Sequence, residues 1–291
     1  MKLAAIDIGS NAVRLLIVRV NENPNDTELF KKLEFVRVPI RLGDDAFKFQ
    51  RISKEKKKIF KKAMHSFKLM LDAFEVDHYM ACATSAMREA DNGKKIAEKI
   101  YDKCGLKINI ITGVRESEII LRSIKDYFKP NTNYLTIDVG GGSTELAVVM
   151  NGKTINSASF NIGTVRMVDG AVNEKTWQTI ESWVKHKTED IPNLEAVVTS
   201  GTINKISFML NPDNAENFTR EQLKDFHRKV SKMSLVERMD NLKLNPDRAD
   251  IIDVSADIYL RILNWCNIEI IHAPNAGLKD GILNELYDKF Y

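Results

Sequence analysis

The chain states one pattern twice. Ala4-Ala5-Ile6-Asp7-Ile8-Gly9-Ser10-Asn11 runs into the apolar stretch Val13 to Val18. Leu135-Thr136-Ile137-Asp138-Val139-Gly140-Gly141-Gly142-Ser143-Thr144-Glu145 runs into Leu146 to Val149. Each copy reads as a β-branched strand, an Asp, a turn of glycine and hydroxyl residues, and a second strand. Small residues let backbone N–H groups close around phosphate oxygens. An Asp at each strand end can hold a divalent cation that neutralises the same phosphates. Two such loops facing each other would form a phosphate clamp between two related domains.

Bulk properties narrow the classes. A chain of 291 residues suits two domains, each able to bury a core. With 44% hydrophobic and 29% charged residues the composition is that of a globular protein. A net charge of +3 is too small to argue for a nucleic-acid protein. Cys82, Cys104 and Cys266 are scattered, odd in number and without metal spacing. They read as reduced thiols of a cytoplasmic protein. No apolar run approaches a membrane span. The five histidines, His65, His78, His186, His227 and His272, show no His-x-x-x-His pattern, which argues against a histidine-based metal hydrolase.

In the first half, Lys2 to Ile8 and Val13 to Val20 are predicted strands around the Gly9 turn. Lys32 to Pro39 is a third, with Pro24 and Asn25 in the turn before it. Ser53 caps a helix predicted to run to about Ala73, with Ile59, Phe60, Ala63, Phe67, Met70, Leu71 and Phe74 on one face. Its run Lys54-Glu55-Lys56-Lys57-Lys58 reads as a solvated helix face, with polyanion binding as the competing reading. A strand over Val76 to Ala83, a helix over Gly93 to Cys104, a short strand over Lys107 to Ile111 and a helix from Gly113 to about Phe128 follow. Pro130 and two asparagines mark a boundary.

The second half restarts with strands Tyr134 to Asp138, Glu145 to Met150 and Thr154 to Asn161, the last two joined by an Asn151-Gly152 hairpin turn. Helices are predicted near Val165 to Val172 and Lys175 to Lys187. Leu194 to Thr199 is a buried strand ending at Ser200-Gly201-Thr202. The remainder is mostly helical, with a last strand Ile268 to His272 and a last helix Ala276 to Phe290. Strands and helices alternate in both halves, so the class is α/β, duplicated. Trp177, Trp183 and Trp265 read as core packing.

A single Asp-x-Gly is weak evidence, since such pairs make turns everywhere. Three consecutive glycines weaken a strand, so close approach of a ligand is their natural account, with a tight bulged hairpin as the competing one. Taken together, these segments resemble the exopolyphosphatase and guanosine pentaphosphate phosphatase family (Ppx/GppA), within the actin, Hsp70 and sugar kinase superfamily. The resemblance rests on Asp7 to Asn11, Arg41-Leu42-Gly43, Ala83 to Ala90, Asp138 to Glu145, Ile162-Gly163, Ser200-Gly201-Thr202, Arg248-Ala249-Asp250 and Gly277 to Ile282.

It implies two ribonuclease H-like, actin-type domains with a cleft between them. These would be residues 1–124 and 125–291, with a C-terminal helix of about 280–291 packing back on the first. It implies that Glu116 is the catalytic carboxylate that takes a proton from water, with Arg88 a cleft arginine suited to phosphate. Asp138 and Glu145 resemble metal-side carboxylates for Mg²⁺ or another divalent cation, and Asp7 is a further candidate. Gly9, Ser10, Asn11, Gly140, Gly141, Gly142, Ser143 and Thr144 would bind phosphate, and Ser200, Gly201 and Thr202 resemble a third loop that touches phosphate or nucleoside. Arg115 and Ser117 depart from the family pattern of two acidic residues before a small one. Arg115 pointing into the cleft would lower the basicity of Glu116; pointing out, it would be a surface charge. Glu118 is the alternate base.

The resemblance thus implies a Mg-dependent hydrolase that removes terminal phosphate from inorganic polyphosphate. Hydrolysis of guanosine pentaphosphate is the alternative within the enzyme class, and an actin-type nucleotide-binding regulator is the alternative outside it. The expected partners are these substrates, not nucleic acid or membrane, and a homodimer is compatible with the apolar C-terminal helices.

Overall fold

The computed structural model describes residues 1–21, 28–214 and 216–291, so the turn expected at Pro24 and Asn25 lies outside the described residues. The chain divides into two units, Met1–Ser123 with Leu278–Tyr291, and Ile124–Gly277.

In the first unit the elements are β1 (Lys2–Ile8), β2 (Val13–Val20), β3 (Phe30–Val38), α1 (Leu42–Phe49), α2 (Lys54–Ala73), β4 (His78–Ala83), α3 (Ser85–Glu89), α4 (Gly93–Cys104), β5 (Ile108–Ile110) and α5 (Gly113–Ile124). The sheet order is β3-β2-β1-β4-β5, with β1, β4 and β5 parallel and β2 and β3 antiparallel to their neighbours. Period-2 alternation sends Ala4, Ile6 and Ile8 of β1 to one face and Leu3 and Ala5 to the other. The first face is covered by Phe60, Met64 and Phe67 of α2 and Ile96 and Ile100 of α4. Both faces are buried, which explains why β1 and β2 read as near-continuous apolar runs.

The second unit holds β6 (Asn133–Val139), β7 (Thr144–Met150), β8 (Lys153–Phe160), α6 (Thr164–Val168), α7 (Glu174–Thr188), β9 (Leu194–Thr199), α8 (Gly201–Leu210), β10 (Asn217–Thr219), α9 (Arg220–Val230), α10 (Leu235–Leu242), α11 (Pro246–Ala249), α12 (Ile252–Trp265) and β11 (Ile270–His272). Its sheet order is β10-β11-β9-β6-β7-β8. Without β10, this is the first sheet over again, with β6 in the place of β1 and β11 in the place of β5. The duplication reaches detail: the β2–β3 ladder slips at Ile17/Val18 and the β7–β8 ladder at Val148/Val149. Each slip falls ten residues beyond its Asp, Asp7 or Asp138. Trp177 is buried in this core and meets Trp265 edge-on.

The last helix, α13 (Leu278–Phe290), belongs to the first unit. It lays Leu278, Ile282, Leu283 and Leu286 on the face of Leu3 and Ala5, beside Ile119 and Ile120 of α5. Gly281 permits this approach: a Cβ there would lie 1.9 Å from the Ile119 carbonyl oxygen. Arg115 reaches both carboxylate oxygens of Glu285, and Arg122 pairs with Asp288 at 2.8 Å. Gly281→Ala is therefore expected to force α13 off α5. Overpacking of this kind costs about 1–3 kcal/mol or more, a melting shift on the order of 10 °C. An unchanged melting temperature by calorimetry would show that the two helices do not pack this closely.

Differences from the sequence expectations have local causes. The strand expected from Val76 starts at His78, because Glu75 turns left-handed (φ 51°) and the Val76 N–H closes α2 on the Leu71 carbonyl. The helix expected to reach Val172 stops at Val168 ahead of Gly170, at φ 67°. The helix expected to reach Phe128 ends at Ile124 and tightens into a 3₁₀ turn, Lys125–Tyr127. Asn151 and Gly152 both take positive φ, 51° and 71°, as a two-residue hairpin turn requires. No helix among the described residues is long and apolar enough to cross a membrane.

At the start of α2 the Ser53 hydroxyl accepts from the Lys56 N–H, and Asp45 accepts from the Ser53 N–H at 2.8 Å. Burial raises the Asp45 pKa, but its bonds from Ser53 and the charge of Lys56 outweigh this and hold it below the ordinary 3.8. A carboxyl depressed in the folded state contributes stability above its unfolded pKa and loses it as pH falls through the folded value. Asp45→Asn should thus lower the urea midpoint at neutral pH and narrow its gap to wild type as pH drops below 3.8. A gap independent of pH would contradict this assignment.

Candidate active site

The first unit gathers Asp7, Ser10, Asn11, Arg88 and Glu116. Asp7 ends β1 and accepts from Arg14, its cross-strand partner, at 2.6 Å. In the following turn, Gly9 N–H bonds the Ala12 carbonyl at 3.2 Å. The carbonyls of Ser10 and Asn11 are taken by the N–H groups of Gly43 and Arg41, at 2.9 and 2.8 Å. The Ser10 hydroxyl lies 2.9 Å from that of Ser85 and accepts from the Ala86 N–H. Ser10 and Asn11 are both buried.

Arg88, in the last turn of α3, donates to the Ile111 carbonyl at 2.8 Å and stands 3.7 Å from Glu116. Glu116, in the first turn of α5, is buried, whereas the Glu118 side chain is 57% exposed and paired with Arg115. Arg115 thus points to Glu118 and Glu285, and its charge ties α5 to α13. Cys82 sits beside Asp7 on β4; burial, then the Asp7 charge, pushes its thiol up to about 12, so it stays protonated.

In the second unit the glycine loop joins β6 to β7. Behind it lies the N-terminus of α6: Thr164 N–H takes the Gly140 carbonyl at 3.0 Å, Val165 N–H takes Gly141 at 2.8 Å, and Arg166 Nε takes Gly142 at 2.8 Å. With these carbonyls turned back, the N–H groups of Gly141, Gly142 and Ser143 have no acceptor among the described residues. Successive N–H groups left in this way form an anion-binding nest. Gly163 fixes the arrangement, since a Cβ there would lie 2.5 Å from the Gly142 nitrogen and 2.6 Å from the Gly141 carbonyl carbon. The Thr144 hydroxyl is engaged by the Ile162 carbonyl at 2.8 Å.

Asp138 and Glu145 are cross-strand partners on one face of this sheet. Asp138 accepts from the Thr199 hydroxyl and Glu145 from the Ser159 hydroxyl, which orients each carboxylate. The two units differ in what stands opposite this Asp. Seven residues after its Asp, the first unit carries Arg14 and the second carries Glu145. Asp7 is therefore balanced by an arginine, while Asp138 faces a second carboxylate across the ladder. Two carboxylates beside a glycine loop are a donor set compatible with Mg²⁺, which takes one or two carboxylates and completes its shell with other oxygens. No group of three His, Cys, Asp or Glu side chains spaced to hold a metal occurs among the described residues.

The third loop, Ser200-Gly201-Thr202, opens α8. Ser200 takes φ 145°, a region that favours glycine, and its hydroxyl accepts from the Ile203 N–H. Tyr259 of α12 holds it: its hydroxyl donates to the Thr199 carbonyl, accepts from the Val139 N–H at 3.2 Å, and lies 3.2 Å from the Ser200 hydroxyl. Burial, then the charge of Asp138, drives the Tyr259 pKa upward, so the phenol remains a donor. Tyr259 and Arg166 carry no motif of their own and are absent from the sequence reading. The only signal toward Arg166 is its place three residues after Gly163.

The sequence pattern of the Ppx/GppA phosphatase family matches residues 22–290, and the chain belongs to that family. A bifunctional 3-dehydroquinate synthase/phosphatase of Fusobacterium nucleatum is 27% identical over 98% of this chain and 47% of its own length. A guanosine-5'-triphosphate,3'-diphosphate pyrophosphatase of Aliivibrio fischeri is 24% identical over 98% of this chain and 59% of its own. Exopolyphosphatase 1 of Mycobacterium tuberculosis is 21% identical over 97% of this chain and 87% of its own. The chain thus spans about half of the first relative and three-fifths of the second. The crystal structure of an exopolyphosphatase from Cytophaga hutchinsonii matches with a TM-score of 0.85 at 21% identity, over 100% of this chain and 99% of that one, which establishes the two-domain actin-like fold.

Proposed function

We propose that this chain is a hydrolase that removes the terminal phosphate of inorganic polyphosphate. The observation that carries the reading is Glu116, buried 3.7 Å from Arg88 in a member of a phosphatase family. Phosphoryl transfer asks mainly for positioning and charge stabilisation. Glu116 takes a proton from water as its oxygen attacks the terminal phosphorus in line, and the shortened chain leaves with the bridging oxygen. Arg88 orients Glu116 and offers its planar fork to phosphate.

The N–H groups of Gly141, Gly142 and Ser143 donate to phosphate oxygens without reorganising. Gly9, Ser10, Asn11, Gly140 and Thr144 shape the two loops, and Ser200, Gly201 and Thr202 supply further contacts. Asp138 and Glu145 would hold Mg²⁺, which when bound neutralises charge on the phosphate oxygens. Asp7 enters already balanced by Arg14.

A second reading, removal of the 5'-terminal phosphate of guanosine pentaphosphate, draws on the relative in Aliivibrio fischeri. Phosphate release measured on each substrate with Mg²⁺ and again with chelator separates them. The leading reading expects release from polyphosphate that chelator abolishes. Release from guanosine pentaphosphate alone would replace it with the second, and tight nucleotide binding with release from neither would favour an actin-type regulator.

A further inference from the structure

We propose that the lysine stripe on the first turns of α2 is a binding track for the distal part of a linear polyphosphate chain. This rests on the phosphohydrolase reading above and deepens it. Lys54, Lys57, Lys58, Lys61 and Lys62 share one side of α2 by helical spacing, away from the buried Phe60, Met64, Phe67 and Leu71. Among the described residues none of the five has an ion-pair partner. Lys56, on the other side, is committed to Asp44 at 2.8 Å, Asp45 at 3.5 Å and the Arg41 carbonyl.

This arrangement works against the helix that carries it. Cations in a first turn meet the positive end of the helix dipole. Lys54–Lys58, Lys57–Lys61 and Lys58–Lys62 are like-charge pairs at i,i+4, which destabilise a helix. Glu55 is the one acidic residue in the stretch. Several other helical cations are paired: Lys185 with Glu181, Arg261 with Asp257, Lys224 with Glu221, and Lys68 with Asp72 further along α2 itself. Lys95–Lys99 and Lys99–Lys103 of α4 share this spacing, but Glu98 and Asp102 are interleaved with them; α2 has the denser run, three such pairs within Lys54 to Lys62 against one acidic residue, and that density marks it as a candidate functional surface.

Two further observations choose the occupant. The helix start that carries the stripe is joined to the candidate site through Lys56 on its other side. Lys56 Nζ bonds the Arg41 carbonyl, and Arg41 and Gly43 donate to the Asn11 and Ser10 carbonyls. The start of α2 is thereby tethered to the first phosphate loop. The stripe also contains no aromatic residue, and Phe60 and Phe67 are buried. Single-stranded nucleic acid is gripped by stacking its bases on aromatics, which this surface lacks. A membrane-binding helix would back its lysines with a continuous exposed apolar face, whereas the apolar face of this one is buried in the core and only Ile59 and Leu69 stand exposed outside it. At 1.5 Å per residue the stripe rises about 12 Å from Lys54 to Lys62, enough for several successive phosphates.

The test is the full chain carrying K54Q, K57Q, K58Q and K61Q together. Kinetics are read on long-chain polyphosphate and on tripolyphosphate, beside equilibrium binding of long-chain polyphosphate and a single-stranded oligodeoxynucleotide. The track predicts a KM for long chains raised about tenfold, with kinetics on tripolyphosphate unchanged. It predicts a dependence of log KM on log salt that is shallower by about three, at roughly 0.7 per lost phosphate contact. The melting temperature should hold or rise, because like-charge repulsion is relieved. Equal kinetic losses on both substrates, or none on either, would overturn the track. So would oligonucleotide binding that depends on these lysines while polyphosphate binding does not. If the wild type binds long chains through these lysines yet hydrolyses none, the track stands and the hydrolase reading falls. If it does neither, both fall.

Discussion

Glu116→Gln is expected to cut phosphate release by about 10²–10⁴-fold, the usual contribution of a positioned general base. The exchange is isosteric, and the amide can keep a contact with Arg88 at the place where the carboxylate stands at 3.7 Å. What it loses is the ability to accept a proton from attacking water. Melting temperature and substrate binding should therefore stay close to wild type while kcat falls. Glu118→Gln is the matched control. Its side chain is exposed and bonded to Arg115, so it should lose little activity. If Glu118→Gln were the silent enzyme and Glu116→Gln the active one, the base would have to be reassigned.

Gly163→Ala is expected to reduce kcat by about 10²-fold through the glycine loop rather than through any lost side chain. A Cβ at 163 would sit 2.5 Å from the Gly142 nitrogen, and its obstacles are backbone atoms that cannot rotate away. The loop must shift, and with it the N–H groups of Gly141, Gly142 and Ser143. Displacement of about 1 Å is enough to spoil a preorganised anion site. Gly277→Ala provides the contrast, since a Cβ there meets nothing within 4 Å. Equal activity of the two variants in a phosphate-release assay would mean that the loop has slack the packing does not suggest.

Much of this was legible before the structure, for physical reasons. The strand–Asp–glycine–strand repeat specifies two related sheets because its period and punctuation leave little else, and β1 with β2 and β6 with β7 form as read. The Ser53 cap and the apolar stripe of α2 were equally plain. The short helices α1 and α3 were not, since eight and five residues carry too little periodicity to stand out. Tyr259 was invisible because its role depends on which helix packs behind the β6 and β9 ends, a matter of tertiary structure. Arg115 was open to two readings, and its tie to Glu285 needed knowledge that α13 returns to α5. The exchange of Arg14 for Glu145 lay in plain view, and register gave it meaning by setting each opposite its Asp.

The central claim, hydrolysis at the chain end by water, is tested most directly by turnover of polyphosphate in ¹⁸O-enriched water, with both products analysed by mass spectrometry. Attack on the terminal phosphorus places one ¹⁸O in the released orthophosphate and none in the shortened chain, and this is the predicted result. Label in the shortened chain, or unlabelled phosphate passed to another acceptor, would contradict it.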